Sequence, residues 1–397
     1  MARTRKALAA RVDVAHLISA GVLASICPRP LIDQVLAETG KGSQRQRLLP
    51  APAVVYYVMA LALWREAPLE EVLRVVCEGL HWLGHDQTVQ ASKSAISQAR
   101  TRLGPEVMER LAGQVLRPLA LPGAPGSWYR ALRVMALDGS CLEVADERAN
   151  ADFFGYPGSG RGQSAFPQMR VLGLVECGTH AIVAAQTAPY AQSERAMAAE
   201  VLSEWLCPEM LLLADRGFYS FKLWQQAASS GAMLLWRVSA TVKLPAQHIL
   251  SDGTYLSTVY DSADRARHHG TTVRVIEYTL HNSAQDSQER YRLLTTQLDE
   301  AKAPGQELAA LYHERWEIES VFDEFKTHLR GASTVLRSKT PQLVQQELWG
   351  LLLAHFAVRQ LMAQAAWRQE FDPDRLSFVH AVRVIKRKLP QAAAIPP

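Results

Sequence analysis

Two short runs, "LRVMALD" at residues 132–138 and "EMLLLAD" at 209–215, each place apolar residues ahead of a single aspartate. Short branched apolar runs of this kind read as strands, and the second has no polar face, so it must be buried. The segments around them are of the same two kinds. "MRVLGLVEC", "HAIVAAQTAP" and "AMLLWRVS" are further strands set off by turns, while "SERAMAAEVLSEWL" and "SFKLWQQAASSG" are helical. An antiparallel run thus feeds an alternating β-α-β section, which predicts an α/β fold: a mixed sheet flanked by helices.

The pattern differs on either side of this section. "VVYYVMALALW", "PLEEVLRVVCEGLHWLG" and "PEVMERLAGQVLRPLA" have apolar spacing near 3.6 residues, with proline at starts and glycine near ends, so residues 1–125 read as an all-helical N-terminal domain. Within it, "TVQASKSAISQARTRLG" is a short polar helix carrying Lys93, Arg100 and Arg102 after a serine-rich turn. It reads either as a helix-turn-helix DNA reader or as a plain surface helix. The Gly- and Pro-rich "LALPGAPGSW" marks the boundary near residue 125. Residues 126–236 form the first part of the sheet domain. Residues 237–300 stay strand-like, with "TTVRVIEYTL" and "ERYRLLTTQ" joined by the polar turn "HNSAQDSQ". Residues 301–397 return to helix and are read as the second part of that sheet domain together with the C-terminal helices. "GYPGSGRGQSAF" lacks the GK[ST] of a phosphate-binding loop and reads as a mobile loop.

Composition narrows the class. An apolar fraction of 48% and a charged fraction of 21% are those of a globular chain. The net charge of +4 permits a polyanionic partner without requiring one. Cys27, Cys77, Cys141, Cys177 and Cys207 form no CxxC pair, which fits a reducing cytoplasm rather than a disulfide framework or a zinc site. The N-terminus lacks a signal-peptide core. The most apolar run, "APAVVYYVMALALW", falls short of the roughly 20 residues a membrane span needs, so no membrane association is expected.

The stretch "YHERWEIESVFDEFK" (312–326) is either an ordinary charged helix or a helix that does chemistry. At about 100° per residue, Tyr312, Arg315, Glu319 and Lys326 fall within about 60° of one another. Leu311, Ile318, Phe322, Phe325 and Leu329 lie beside them as an apolar stripe, so Glu319 is expected at the rim of a packed site. Tyr312 and Lys326 would stand roughly 20 Å apart along the axis, enough for Arg315 and Lys326 to meet different phosphates. Glu314, Glu317 and Glu324 are expected in solvent. Asp138 and Asp215, each closing an apolar strand, are expected at exposed strand ends; a lone aspartate there is also a common turn-former. Three converging carboxylates repel, and a divalent cation relieves that repulsion.

Asp138 in "LDGS", Asp215 in "ADRGFYS" and the spacing Tyr312-x2-Arg315-x3-Glu319-x6-Lys326 resemble the DDE transposases of the insertion-element-4 family with its Tyr-Arg-Glu-Lys signature. "PAPAVVYYVMALALWREAPLEEVLRVV" is similar to that family's N-terminal domain, so the likeness spans nearly the whole chain. The resemblance implies a ribonuclease H-like catalytic core with a β-rich insertion at 237–300. Asp138, Asp215 and Glu319 would be the catalytic acids and the ligands of two Mg²⁺ or Mn²⁺ ions. It implies binding of double-stranded DNA at terminal inverted repeats, water-driven cleavage, attack of the freed 3′-OH on target DNA, a hairpin route in some members, and a homodimer in the synaptic complex. Arg315 and Lys326 would hold phosphates, and Tyr312 with an aromatic of the insertion would stabilise a flipped base. Tyr291 is the first candidate for that aromatic, Trp236 the second, and Arg237 is a further phosphate contact. The basic runs "RTRKALAAR" and "RVIKRK" would add DNA affinity, or serve only as solubilising tails. Two alternatives stand beside an active transposase: a transposase-derived DNA-binding protein without catalysis, and a structure-selective nuclease on the same core.

Overall fold

The computed structural model describes residues 21–42, 49–79, 91–159, 162–282, 287–329 and 335–388. "RTRKALAAR" lies outside them. The chain forms two compact units: residues 1–115 with 327–332 and 342–397, and residues 116–326 with 333–341.

The first unit is helical throughout its described residues. It comprises α1 (Val22–Ile26), α2 (Arg29–Glu38), α3 (Ala51–Leu63), α4 (Leu69–Gly79), α5 (Lys93–Leu103) and α6 (Pro105–Val115). All residues of α3 after Ala51 are buried, and Pro52 fits its first turn, where no backbone N–H is needed. Ser92 caps α5 by accepting the Ala95 N–H, and Gly104 turns the chain into α6 with a φ of 75°. The C-terminal helices, expected with the catalytic core, cluster in this unit instead. The longest of them runs Pro341–Trp367, and its contacts account for the grouping. Glu347 pairs with Arg65 at 2.9 Å, both nearly buried. A Cβ on Gly350 would come 2.8 Å from the Val58 carbonyl oxygen, so α3 packs there backbone to backbone. Among the described residues no helix is long and apolar enough to cross a membrane.

The second unit is built on one ten-stranded sheet. Five strands form its centre in the order β6 (Ala181–Pro189), β5 (Gln168–Glu176), β2 (Leu132–Glu143), β7 (Met210–Ala214) and β8 (Met233–Arg237). β6, β5 and β2 are antiparallel neighbours, whereas β2, β7 and β8 run parallel. β1 (Trp128–Tyr129) pairs with β2. The parallel strands are linked by helices, α8 (Glu194–Trp205) and α9 (Phe221–Ser229), which pack on one face over Met135, Leu137, Leu212, Ala214, Leu234 and Trp236.

The β-rich insertion forms no separate sheet. β12 (Ser287–Thr295) pairs antiparallel with β8, and β11 (Thr271–Asn282), β10 (Tyr255–Val259) and β9 (His248–Ile249) continue outward in that order. Between β2 and β5, α7 (Arg148–Phe154) precedes a small hairpin. There β3 (Gly158–Ser159) meets β4 (Gly162–Gln163), within the stretch expected to be a mobile loop.

Candidate active site

Strand register alone brings the two aspartates together. β2 and β7 are parallel, with Leu137 opposite Ala214, so Asp138 and Asp215 follow as the next pair. Neighbouring strands lie about 4.8 Å apart, and in-register residues of parallel strands share a face. Leu137 and Ala214 point into the helix-covered core, so both aspartates face the opposite side.

Asp138 does not end its strand, as the sequence suggested. β2 continues to Glu143 because β5 pairs with it along the whole length, Asp138 opposite Gly173. Only the β7 edge stops there, so Asp138 opens toward the space beyond Ala214. Asp215 leaves β7 into a turn closed by the Phe218 N–H on its carbonyl oxygen, 3.0 Å.

Asp138 is electrostatically strained. Burial pushes Asp138 up to about 6; the Gly139 N–H, donated to Oδ1 at 2.8 Å, and the Arg315 charge pull the other way, and Glu194 and Asp215 add to the rise. Oδ1 of Asp215 is buried without a hydrogen-bond partner. An orphaned carboxylate oxygen beside a second acid that resists ionisation is a place a hard divalent cation suits.

The signature segment is not one straight α-helix. The chain runs as α10 (Gly305–Tyr312), a 3₁₀ turn (His313–Trp316), α11 (Glu317–Asp323) and a π-helical stretch (Glu324–Leu329). The shared face expected for Tyr312, Arg315, Glu319 and Lys326 is therefore broken up. Tyr312 is fully buried and donates its hydroxyl to the Ala214 carbonyl oxygen at 3.3 Å, one residue from Asp215. Arg315 is buried too, its guanidinium 5.8 Å from the Tyr312 ring centre and 5.3 Å from that of Trp316. Burial works against its charge, but the Tyr312, Asp215, Asp138 and Glu319 oxygens hold its pKa above the ordinary value. Glu319 is the most open of the acids, its side chain 51% exposed and 3.6 Å from Arg315 Nη2. That separation is an ion pair and too long for a hydrogen bond. Phe322 of α11 reaches the space a Cβ on Gly173 would occupy, 3.6 Å away, so this helix crosses the sheet beside Asp138. Lys326 is half-buried and its charge acts on Cys141 of β2.

Convergence of the three acids is incomplete. Arg315 links the aspartate pair to Glu319. Yet Asp138, Asp215 and Glu319 do not offer three oxygens all within 4.8 Å of one another. Glu317 and Glu324, expected in solvent, are instead drawn in toward His180 of the β5–β6 turn, at 3.6 Å and 3.7 Å. No periodicity argument reaches that contact, because His180 lies far away in sequence.

The expected DNA contacts fare unevenly. Arg100 is buried and structural: its Nε donates to Gln346 Oε1 at 2.9 Å and Nη2 to the Leu343 carbonyl oxygen at 3.0 Å. It cannot read DNA from there. Lys93 and Arg102 are exposed. Tyr291 is 3% exposed, with Tyr278 stacked at 5.2 Å and Arg237 4.0 Å from its ring centre, so this arrangement leaves no ring face open to a base. Trp236 is fully buried, edge-on to Trp224 at 5.4 Å. Arg237 is engaged with Glu289 at 2.5 Å. The open aromatic beside Arg315 is Trp316, 45% exposed; its place between two charged residues of the signature was the available clue.

Comparison with known proteins accords with this geometry. Residues 17–112 match the insertion element 4 transposase N-terminal family, and residues 129–357 match the transposase DDE domain family. The transposase InsG for insertion sequence element IS4 of Escherichia coli (strain K12) is 29% identical over 367 residues, covering 90% of this chain and 80% of that protein. InsZ of the same organism is 27% identical over 232 residues, 58% of this chain and 75% of its own length. Among solved structures, the piggyBac transposase synaptic complex with hairpin DNA aligns with a TM-score of 0.48 at 10% identity, covering 97% of this chain and 81% of that one. DDE transposase domains have a ribonuclease H-like fold and use divalent metal ions. From its two family matches and the strand order that sets its aspartates side by side, the chain belongs to the insertion-element-4 family of DDE transposases.

Proposed function

We propose that Asp138, Asp215 and Glu319 are the catalytic acids of this transposase and the residues that hold its divalent ions, two Mg²⁺ or Mn²⁺. The observation that carries the assignment is the register of β2 and β7, which sets two carboxylates side by side with one oxygen orphaned. Held there, a divalent ion would supply Lewis-acid chemistry for the attacking and departing oxygens of a phosphodiester. The chain supplies the remainder. Arg315, charged and buried beside the acids, orients a non-bridging phosphate oxygen. Lys326 meets a neighbouring phosphate, and the Tyr312 hydroxyl braces the strand end that leads into Asp215. Glu319, half-exposed on α11 and 3.6 Å from Arg315, is the third acid of the centre. Trp316 offers the ring surface for stacking an extruded base. Lys93 and Arg102 on α5 and the basic face of Phe378–Lys388 add phosphate contacts, and the protein works as a dimer on paired ends in the bacterial cytoplasm.

The test is cleavage of a duplex carrying the DNA that flanks the reading frame, under Mg²⁺ or Mn²⁺. Nicks at the element ends followed by joined products support a cut-and-paste transposase, and a denaturing gel reveals whether hairpin ends form on the way. Nicks that never yield joined products indicate a nuclease. Binding without nicks indicates a DNA-binding derivative.

A further inference from the structure

Glu319 rides on α11, a helix of seven residues with a 3₁₀ turn before it and a π-helical stretch after it. A helix this short does not hold its own orientation; its surroundings must fix it. Ile318, Val321 and Phe322 supply a buried side, but apolar contact has no direction. The polar contacts are at its two ends. Glu317, its first residue, accepts the Gly178 N–H at 2.6 Å and lies 3.6 Å from His180 Nε2. Glu324, the residue that follows it, places Oε1 3.7 Å from His180 Nδ1. Both ring nitrogens thus lie at ion-pair distance from carboxylates, beyond hydrogen-bond length.

His180 itself has a firm mount. It is buried in the tight turn between β5 and β6, with a φ of 58°. The same turn packs so closely on residues 125–127 that a Cβ on Gly178 would fall 2.6 Å from the Pro125 carbonyl oxygen. Glu324 also opens the π-helical stretch, and the wider turn there sets where Lys326 points relative to Glu319.

We propose that His180 is a positioning residue of the catalytic centre, bridging Glu317 and Glu324 so that α11 keeps Glu319 and Lys326 in fixed register with the Asp138–Asp215 pair. The proposal rests on the reading of Glu319 as the third acid.

Full-length wild type, His180→Ala, His180→Lys and Glu317→Gln are compared in three measurements: Mn²⁺ titration of the DNA-free protein by calorimetry, Mn²⁺ dependence of cleavage of the flanking-DNA duplex, and affinity for that duplex without divalent ions. His180→Ala and Glu317→Gln should each raise the half-saturating Mn²⁺ concentration about 10-fold in both Mn²⁺ assays, as loss of an outer-shell support does, with duplex affinity unchanged. His180→Lys, which places a cation between the glutamates, should recover part of the loss. The double variant His180→Ala/Glu317→Gln should be no worse than either single change. A His180→Ala protein that melts earlier yet binds Mn²⁺ and cleaves with wild-type constants would reduce His180 to a structural contact. If His180→Ala does not fold, His180→Lys and Glu317→Gln carry the test, and wild-type Mn²⁺ constants in both overturn the proposal. Wild type that neither binds Mn²⁺ nor cleaves would remove the underlying reading and the clamp with it.

Discussion

At the scale of single residues, burial of Asp138 makes the stability of the fold depend on pH. Asp138 ionises near 6 in the folded chain against an ordinary 3.8. Below pH 4 the acid is protonated in both states and costs nothing. Between 4 and 6 the unfolded chain releases its proton first, so stability falls as pH rises, by about 3 kcal/mol in all at about 1.4 kcal/mol per unit. Metal-free wild type should therefore lose this stability relative to Asp138→Asn between pH 4 and 6; thermal melting of both in chelator checks it. Added Mn²⁺ should raise the melting point of wild type at pH 7.5 and leave that of Asp138→Asn nearly unmoved. Asp138→Asn, Asp215→Asn and Glu319→Gln should each lower cleavage at least about 100-fold, the loss expected when a transition-state charge is removed, with duplex binding retained in gel shifts. Normal cleavage by Glu319→Gln would unseat the helix assignment.

At the scale of elements, close packing of α3 on the long helix from Pro341 to Trp367 governs the helical unit. A Cβ on Gly350 would lie 2.7 Å from a Val58 methyl as well as against its carbonyl, and backbone cannot retreat as a side-chain tip does. Gly350→Ala should cost about 1–3 kcal/mol or more, read as a lower midpoint in urea. Arg100 is tied into the same packing by mutual bonds, since Gln346 Nε2 donates to the carbonyl oxygens of Arg100 and Gly104, both at 2.9 Å. Arg100→Ala should destabilise by about 2–3 kcal/mol, because it strands buried polar groups. At temperatures where the variant is folded, its DNA affinity should equal that of wild type, whereas Arg102→Ala should weaken binding without changing the melting point.

At the scale of the whole molecule, a net charge of +4 over 397 residues is too small to bind DNA by bulk attraction, so affinity depends on where cations are grouped. Each phosphate contact contributes about 0.9 to the slope of log affinity against log salt. Lys326→Ala should lower that slope by about 1 and weaken all duplexes alike. Trp316→Ala should leave the slope unchanged and reduce cleavage more than binding, if the ring works on an extruded base.

The sequence by itself determined the periodic and local features: helices before residue 115, the apolar strands, the aspartates that follow them, and the signature spacing from Tyr312 to Lys326. These depend on side-chain period and chemistry, which a linear pattern carries. Tertiary structure alone decided the rest. β5 pairing carried β2 past Asp138; burial took Arg100, Tyr291 and Trp236 out of reach of DNA. The signature segment folds as α, 3₁₀ and π turns rather than one α-helix, and Glu317 and Glu324 lie near His180, remote in sequence. Such outcomes depend on which distant segments compete for the same space and the same charge, and no repeat along the chain records that.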